Sequence, residues 1–115
     1  MSDAPILEPL NLVADFEAAG DFEKKHTPYI TVEQTDEGHR LNIKIGQEVP
    51  HPNQPGHWIG WIELLIGDAT VARFDLAPTV SIPVVSVVLD AQPGTVVRAI
   101  AHCNLHGLWA YEITL

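Results

Sequence analysis

Arg40-Leu41-Asn42-Ile43-Lys44-Ile45 alternates strictly between polar and apolar side chains. Successive side chains on a strand point to opposite faces. Leu41, Ile43 and Ile45 therefore share one face, and Arg40, Asn42 and Lys44 share the other, as expected of a half-buried strand. Asp36-Glu37-Gly38 before it is a turn signal, and Tyr29-Ile30-Thr31-Val32 before the turn is β-branched and aromatic. Toward the C terminus a Pro/Gly-rich loop over 46–56 leads into apolar runs at Trp58–Ile66, Val71–Leu76, Val80–Leu89, Val96–Cys103 and Leu108–Thr114. Seven strands at regular spacing, with no long helix between them, predict an all-β fold: a seven-stranded antiparallel immunoglobulin-like sandwich. Pro83 within a run marks an edge or a bulge. Toward the N terminus, Leu12–Ala19 predicts a short helix ended by Gly20, too short to stand without packing. Phe16 and Phe22 are candidates to pin it.

A chain of 115 residues holds one domain. Hydrophobic content of 46% and charged content of 18% are ordinary for a globular protein, and nine prolines with eight glycines favour many short elements. The net charge of −9 argues against nucleic acid, which needs a basic surface, and against an anionic membrane surface. No run of about 18 apolar residues is present to span a bilayer. One cysteine cannot form an internal disulfide, and no basic segment followed by an apolar run marks a secretory signal; both favour a cytoplasmic setting.

That one cysteine stands in Cys103-Asn104-Leu105-His106-Gly107. His51 and His57 bracket a loop stiffened by Pro52 and Pro55, and His26 precedes Thr27-Pro28. Each feature alone has an ordinary explanation. Cys103 suits a buried core position, and the histidines suit solvated turns. Together, four of the six histidines and the only cysteine fall at strand ends or loops. Strand ends of a sandwich gather at two poles, so the five are expected to converge on one transition metal. His39, in a hairpin turn, and His102, which points away from its neighbour Cys103, are assigned to neither role. Residues 1–25 are expected to form an N-terminal extension and first ligand loop, and 26–115 the immunoglobulin-like metal-binding domain. Trp58 and Trp61, at odd separation, cannot share a face of a regular strand, which makes one a candidate subunit contact.

Three blocks carry a family resemblance: Lys25-His26-Thr27-Pro28; His51-Pro52-Asn53 with His57-Trp58-Ile59; and Cys103-Asn104-Leu105-His106-Gly107-Leu108-Trp109. Over roughly residues 21–115 the chain resembles the one-iron superoxide reductases, the neelaredoxins, and the iron-site domain of desulfoferrodoxin. The resemblance implies a mononuclear iron held by His26, His51, His57 and His106 with Cys103 as axial ligand. It implies reduction of superoxide to hydrogen peroxide, with Lys25 near the open position attracting the anion. It further implies an electron donor such as rubredoxin and a homo-oligomer, dimer or tetramer. The small cysteine-rich iron domain of desulfoferrodoxin is not expected in these 115 residues, which hold one cysteine. Where the family commonly reads Glu-Lys-His, this chain has Lys24-Lys25-His26, with Glu23 one place further off. Because a chain of net charge −9 repels superoxide at long range, a local patch of Lys24 and Lys25 would have to offset that field. The alternatives are a non-catalytic iron-binding or electron-transfer module with the same ligands, and a structural sandwich without metal.

Overall fold

In the computed structural model, residues 9–115 are described; residues 1–8 of the expected extension lie outside the described residues. The alternating stretch behaves as its pattern requires: Leu41, Ile43 and Ile45 are buried, while Arg40 and Lys44 face solvent. The elements are β1 (Leu10–Leu12), α1 (Asp21–His26), β2 (Pro28–Thr35), β3 (Gly38–Ile45), β4 (Ile59–Ile66), β5 (Ala69–Asp75), β6 (Val84–Leu89), β7 (Val96–Cys103) and β8 (Gly107–Thr114). They form a five-stranded sheet in the order β1-β8-β7-β4-β5 and a three-stranded sheet in the order β2-β3-β6. Between the sheets, Ile30, Leu41 and Ile43 from one layer pack with Ile62, Leu64, Val97, Ala99 and Ala101 from the other. Full burial of a Val, Leu or Ile side chain contributes about 1.5–3 kcal/mol, so this layer is the main source of stability. The architecture is the expected immunoglobulin-like sandwich.

All seven expected strands are present, and β1 is an eighth. It runs parallel to β8, with Leu10 opposite Leu108 and Leu12 opposite Ala110, so the sheet is not wholly antiparallel. The helix expected over Leu12–Ala19 does not form. That stretch ends a strand and turns, and the helix lies at Asp21–His26 instead. Its acidic residues sit in the first turn and Lys24, Lys25 and His26 in the last, matching the helix dipole. Thr27 closes it, donating from both its backbone N and Oγ1 to the Glu23 carbonyl, and Pro28 cannot continue it. β6 starts at Val84 rather than Val80. Pro78 and Pro83 lack the N–H a ladder needs, and Thr79 takes a φ of 64° that no strand allows. Trp61, expected to face away from Trp58, lies on β4 with its ring stacked on His102 at 5.7 Å, while Trp58 precedes the strand.

Register brings five chain segments to one pole. Pro28 at the start of β2 pairs with Ile45 at the end of β3. In the other sheet Ile59 at the start of β4 pairs with Cys103 at the end of β7, which pairs in turn with Gly107 at the start of β8. The end of α1, the 46–58 loop and the 103–107 turn therefore meet there. Gly46 opens that loop at a φ of 93°, and a Cβ on it would lie 2.9 Å from the His51 backbone nitrogen, so the position admits only glycine.

Candidate metal centre

Each expected ligand arrives on a different device. His26 ends α1 and is fully buried, its ring stacked on Trp109 at 4.8 Å and 19°. His51 and His57 stand at the two ends of the loop between β3 and β4, drawn tight by paired backbone bonds between Gln54 and His57 at 3.0 Å each. Cys103 ends β7 in the core, and Gly107, at a φ of 80°, allows the sharp turn that returns His106 to the same pole.

The four imidazoles form a closed ring. Centroid distances are 4.9 Å from His26 to His51, 4.8 Å from His51 to His57, 5.2 Å from His57 to His106 and 5.0 Å from His106 to His26. The His26–His57 diagonal is 6.5 Å. Adjacent rings stand edge to face at 73–84°, so the set is a four-bladed propeller. The ligand-capable atoms of His26, His51, His57 and Cys103 all lie within 4.8 Å of one another. His106 closes the ring from the solvent side.

Hydrogen bonding selects which nitrogens face inward. Nδ1 of His26 lies 2.7 Å from the Phe22 carbonyl oxygen, and Nδ1 of His51 lies 2.7 Å from the Pro52 carbonyl oxygen. A carbonyl only accepts, so each Nδ1 carries the proton and donates, leaving each Nε2 as a lone pair. The Nε2 atoms of His26, His51 and His57 are buried without a hydrogen-bond partner. Three unpartnered ring nitrogens aimed into one space beside a thiol would cost several kcal/mol if nothing satisfied them. A metal ion satisfies all three, and imidazole with thiolate suits iron, zinc or copper. The residues present fit such an ion.

Burial is also the main reason that the pKa values of these histidines are depressed. It holds His26 and His57 below the usual 6.5 and takes His51 down to about 4; neighbouring histidines and the Lys25 charge push the same way, and the Phe22 and Pro52 carbonyls oppose it at His26 and His51. At neutral pH these rings are uncharged and ready to bind metal. Protons then bind the unfolded chain more readily than the folded one. The stability contributed by neutral histidines is whole above pH 6.5 and is lost as pH falls through 6.5 toward 4. The urea midpoint of metal-free protein is expected to drop between pH 7 and pH 5, before most carboxylates titrate; an unchanged midpoint would contradict this.

The two lysines before His26 differ. Lys24 Nζ lies 3.2 Å from Glu48 Oε1 and sits over the Phe16 ring at 5.3 Å, so its charge is already paired. The expected two-lysine patch is reduced to Lys25, which among the described residues has no ion pair and whose charge acts on His26, His51 and His57. Glu23 is turned back over the first turn of α1, its Oε1 3.1 Å from where a Cβ on Gly20 would stand. His39 bonds Gln34 at the other end of β3, and His102 stacks on Trp61. Sequence reasoning named Phe22 only as an anchor for the N-terminal segment, whereas its ring packs on His26, His106 and Trp109, and it missed Asn104, which is bonded to the His57 loop. For Asn104 the available signal was its place inside the Cys103–His106 block.

Residues 18–112 match the desulfoferrodoxin family. The chain is 39% identical over 97 residues to a putative superoxide reductase of Methanocaldococcus jannaschii, covering 80% of this chain and 83% of that one. Among solved structures it is similar to the superoxide reductase of Nanoarchaeum equitans, with a TM-score of 0.72 at 31% identity over 80% of this chain and 94% of that chain. It is also similar to the reduced superoxide reductase (neelaredoxin) of Archaeoglobus fulgidus, with a TM-score of 0.70 at 32% identity over 84% and 94%. With most of its length matched and the His/Cys cluster assembled at one pole, the chain belongs to the desulfoferrodoxin family.

Proposed function

We propose that this protein is a superoxide reductase: His26, His51, His57, His106 and Cys103 hold one iron, and Lys25 draws in the superoxide anion. The observation that carries this is the imidazole propeller with three buried, unpartnered Nε2 atoms facing one space beside Cys103. When bound, iron supplies one-electron chemistry between its ferrous and ferric forms. The net reaction joins superoxide, one electron from an outside donor such as rubredoxin and two protons into hydrogen peroxide. The Phe22 and Pro52 carbonyls hold the tautomers of His26 and His51, so the ligand set is preorganised. Trp109 walls His26 on the protein side, the half-exposed Phe22 packs against His26 and His106, and the exposed His106 edge is where an anion enters. A homo-oligomer and a cytoplasmic setting complete the proposal; no described helix is long and apolar enough to cross a membrane.

Anaerobic loading with ferrous iron followed by a superoxide pulse tests it. One peroxide per iron with no oxygen released supports the reductase. Iron that binds yet reacts no faster than background leaves an iron-binding or electron-transfer module. Lys25→Ala is expected to slow association with superoxide about 3–10-fold at low salt, a fraction of what whole-surface steering achieves. The difference shrinks at physiological salt, where the Debye length falls to about 8 Å. Equal rates at low salt would remove Lys25 from the mechanism.

A further inference from the structure

Of the four candidate histidine ligands, His57 differs from His26 and His51 in how its ring is held. His26 and His51 are oriented by carbonyls at Nδ1. Among the described residues the His57 ring makes no hydrogen bond. Its direction is set through the backbone, and there every polar group is engaged. His57 N donates to the Gln54 carbonyl and the His57 carbonyl accepts from Gln54 N, both at 3.0 Å. The remaining two groups of the flanking peptides both go to one side chain. Asn104 Nδ2 donates to the Gly56 carbonyl at 2.8 Å, and Trp58 N donates to Asn104 Oδ1 at 2.8 Å. Gly56 C=O belongs to the peptide plane before the His57 Cα, and Trp58 N–H to the plane after it. φ and ψ of His57 are the rotations of those two planes about that Cα. A single planar carboxamide thus spans both and restrains both dihedrals.

Asn104 is itself the residue after Cys103, and its backbone N donates to the Trp58 carbonyl at 3.2 Å. One residue therefore couples the loop that carries His57 to the turn that carries Cys103 and His106. Asparagine suits this chemically, offering a donor and an acceptor on one short, flat group. Aspartate keeps the acceptor for Trp58 N but sets an oxygen against the Gly56 carbonyl, and alanine supplies neither.

We infer that Asn104 is a positioning residue for the metal centre, its carboxamide setting the His57 imidazole against the Cys103–His106 turn. This rests on the metal-centre reading above. The test is titration of metal-free protein with cobalt(II), followed by the thiolate-to-cobalt and d–d absorption bands. Native protein is expected to bind one equivalent with a thiolate band. Asn104→Ala is expected to bind about 10–100-fold more weakly, the usual cost of losing a partner behind a ligand, with displaced d–d bands. Asn104→Asp falls between the two. Val97→Ala removes buried methyl groups at the far end of β7; it lowers stability but keeps native affinity and bands. Affinity and bands in Asn104→Ala indistinguishable from native overturn the assignment; where the alanine variant does not fold, the same result in Asn104→Asp does so. If the native chain takes up no cobalt, the metal-centre reading itself falls, and this inference with it.

Discussion

Iron-loaded Cys103→Ser is expected to lack sulfur-to-ferric absorption and to reduce superoxide about 100-fold more slowly or worse, the scale of loss when one preorganised electrostatic group leaves a catalytic site. The reason lies in what only sulfur supplies. A thiolate donates electron density to a bound metal, as it does in thiolate-ligated haem, and a serine hydroxyl at neutral pH does not. Two effects have to be separated, because Cys103 is also part of the core, fully buried among Ile59, Ala101 and their neighbours. Serine places a hydroxyl there, which costs about 1–3 kcal/mol if it finds no partner. Cys103→Ala removes the sulfur without adding a polar group. Both variants should lose the absorption and the rate, whereas only serine carries the polar penalty in a urea melt. Visible spectra of the oxidised proteins and the superoxide pulse, read on the same samples, decide it. A retained charge-transfer band in either variant would mean that Cys103 would not be the sulfur ligand to the iron.

How much could be read from the chain follows from how local each signal is. The alternation in Arg40–Ile45 and the apolar runs after it depend on neighbours one or two residues away, and each run holds a strand, although β6 is shorter than its run. β1 has no such signal: its three residues become a strand only because β8, almost a hundred positions later, offers its edge. Leu12–Ala19 has the composition of a helix, yet tertiary contacts override propensity. Phe16 is buried against Tyr29, while Phe22, His26 and the Lys24–Glu48 pair anchor the helix one segment later. The His/Cys cluster was legible because its residues come in tight blocks whose spacing is set by turns. The distinction between Lys24 and Lys25 was not, since it depends on Glu48 across the loop. The same holds for Asn104, whose partners at Gly56 and Trp58 are nearly fifty residues away.

Ile43→Ala is expected to be the most damaging of the core truncations in the three-stranded sheet, at about 2–5 kcal/mol. Ile43 stands on β3, the central strand of its sheet, fully buried, with Ile30 of β2 on one side in register and Val85 of β6 on the other. Truncation removes apolar area and also opens a cavity, and a strand paired on both edges cannot collapse to fill it. Against a total stability of about 5–15 kcal/mol the loss is a large share. For a domain of this size, roughly 4 °C per kcal/mol lowers Tm by about 10 °C or more. Ile43→Val keeps the β-branch and should cost about 0.5–1.5 kcal/mol, while Lys44→Ala, on the solvent face of the same strand, should stay within about 0.5 kcal/mol. Because Ile43 is not among the His and Cys side chains of the cluster, iron bound per folded molecule should be unchanged at a temperature where the variant is folded. Thermal melts of the three metal-free variants, with iron content measured below the transition, test both halves. Equal costs for Ile43→Ala and Lys44→Ala would mean that the core does not run between these two sheets. Lost iron in folded Ile43→Ala would mean that the strand holds the His51 loop by more than its backbone end.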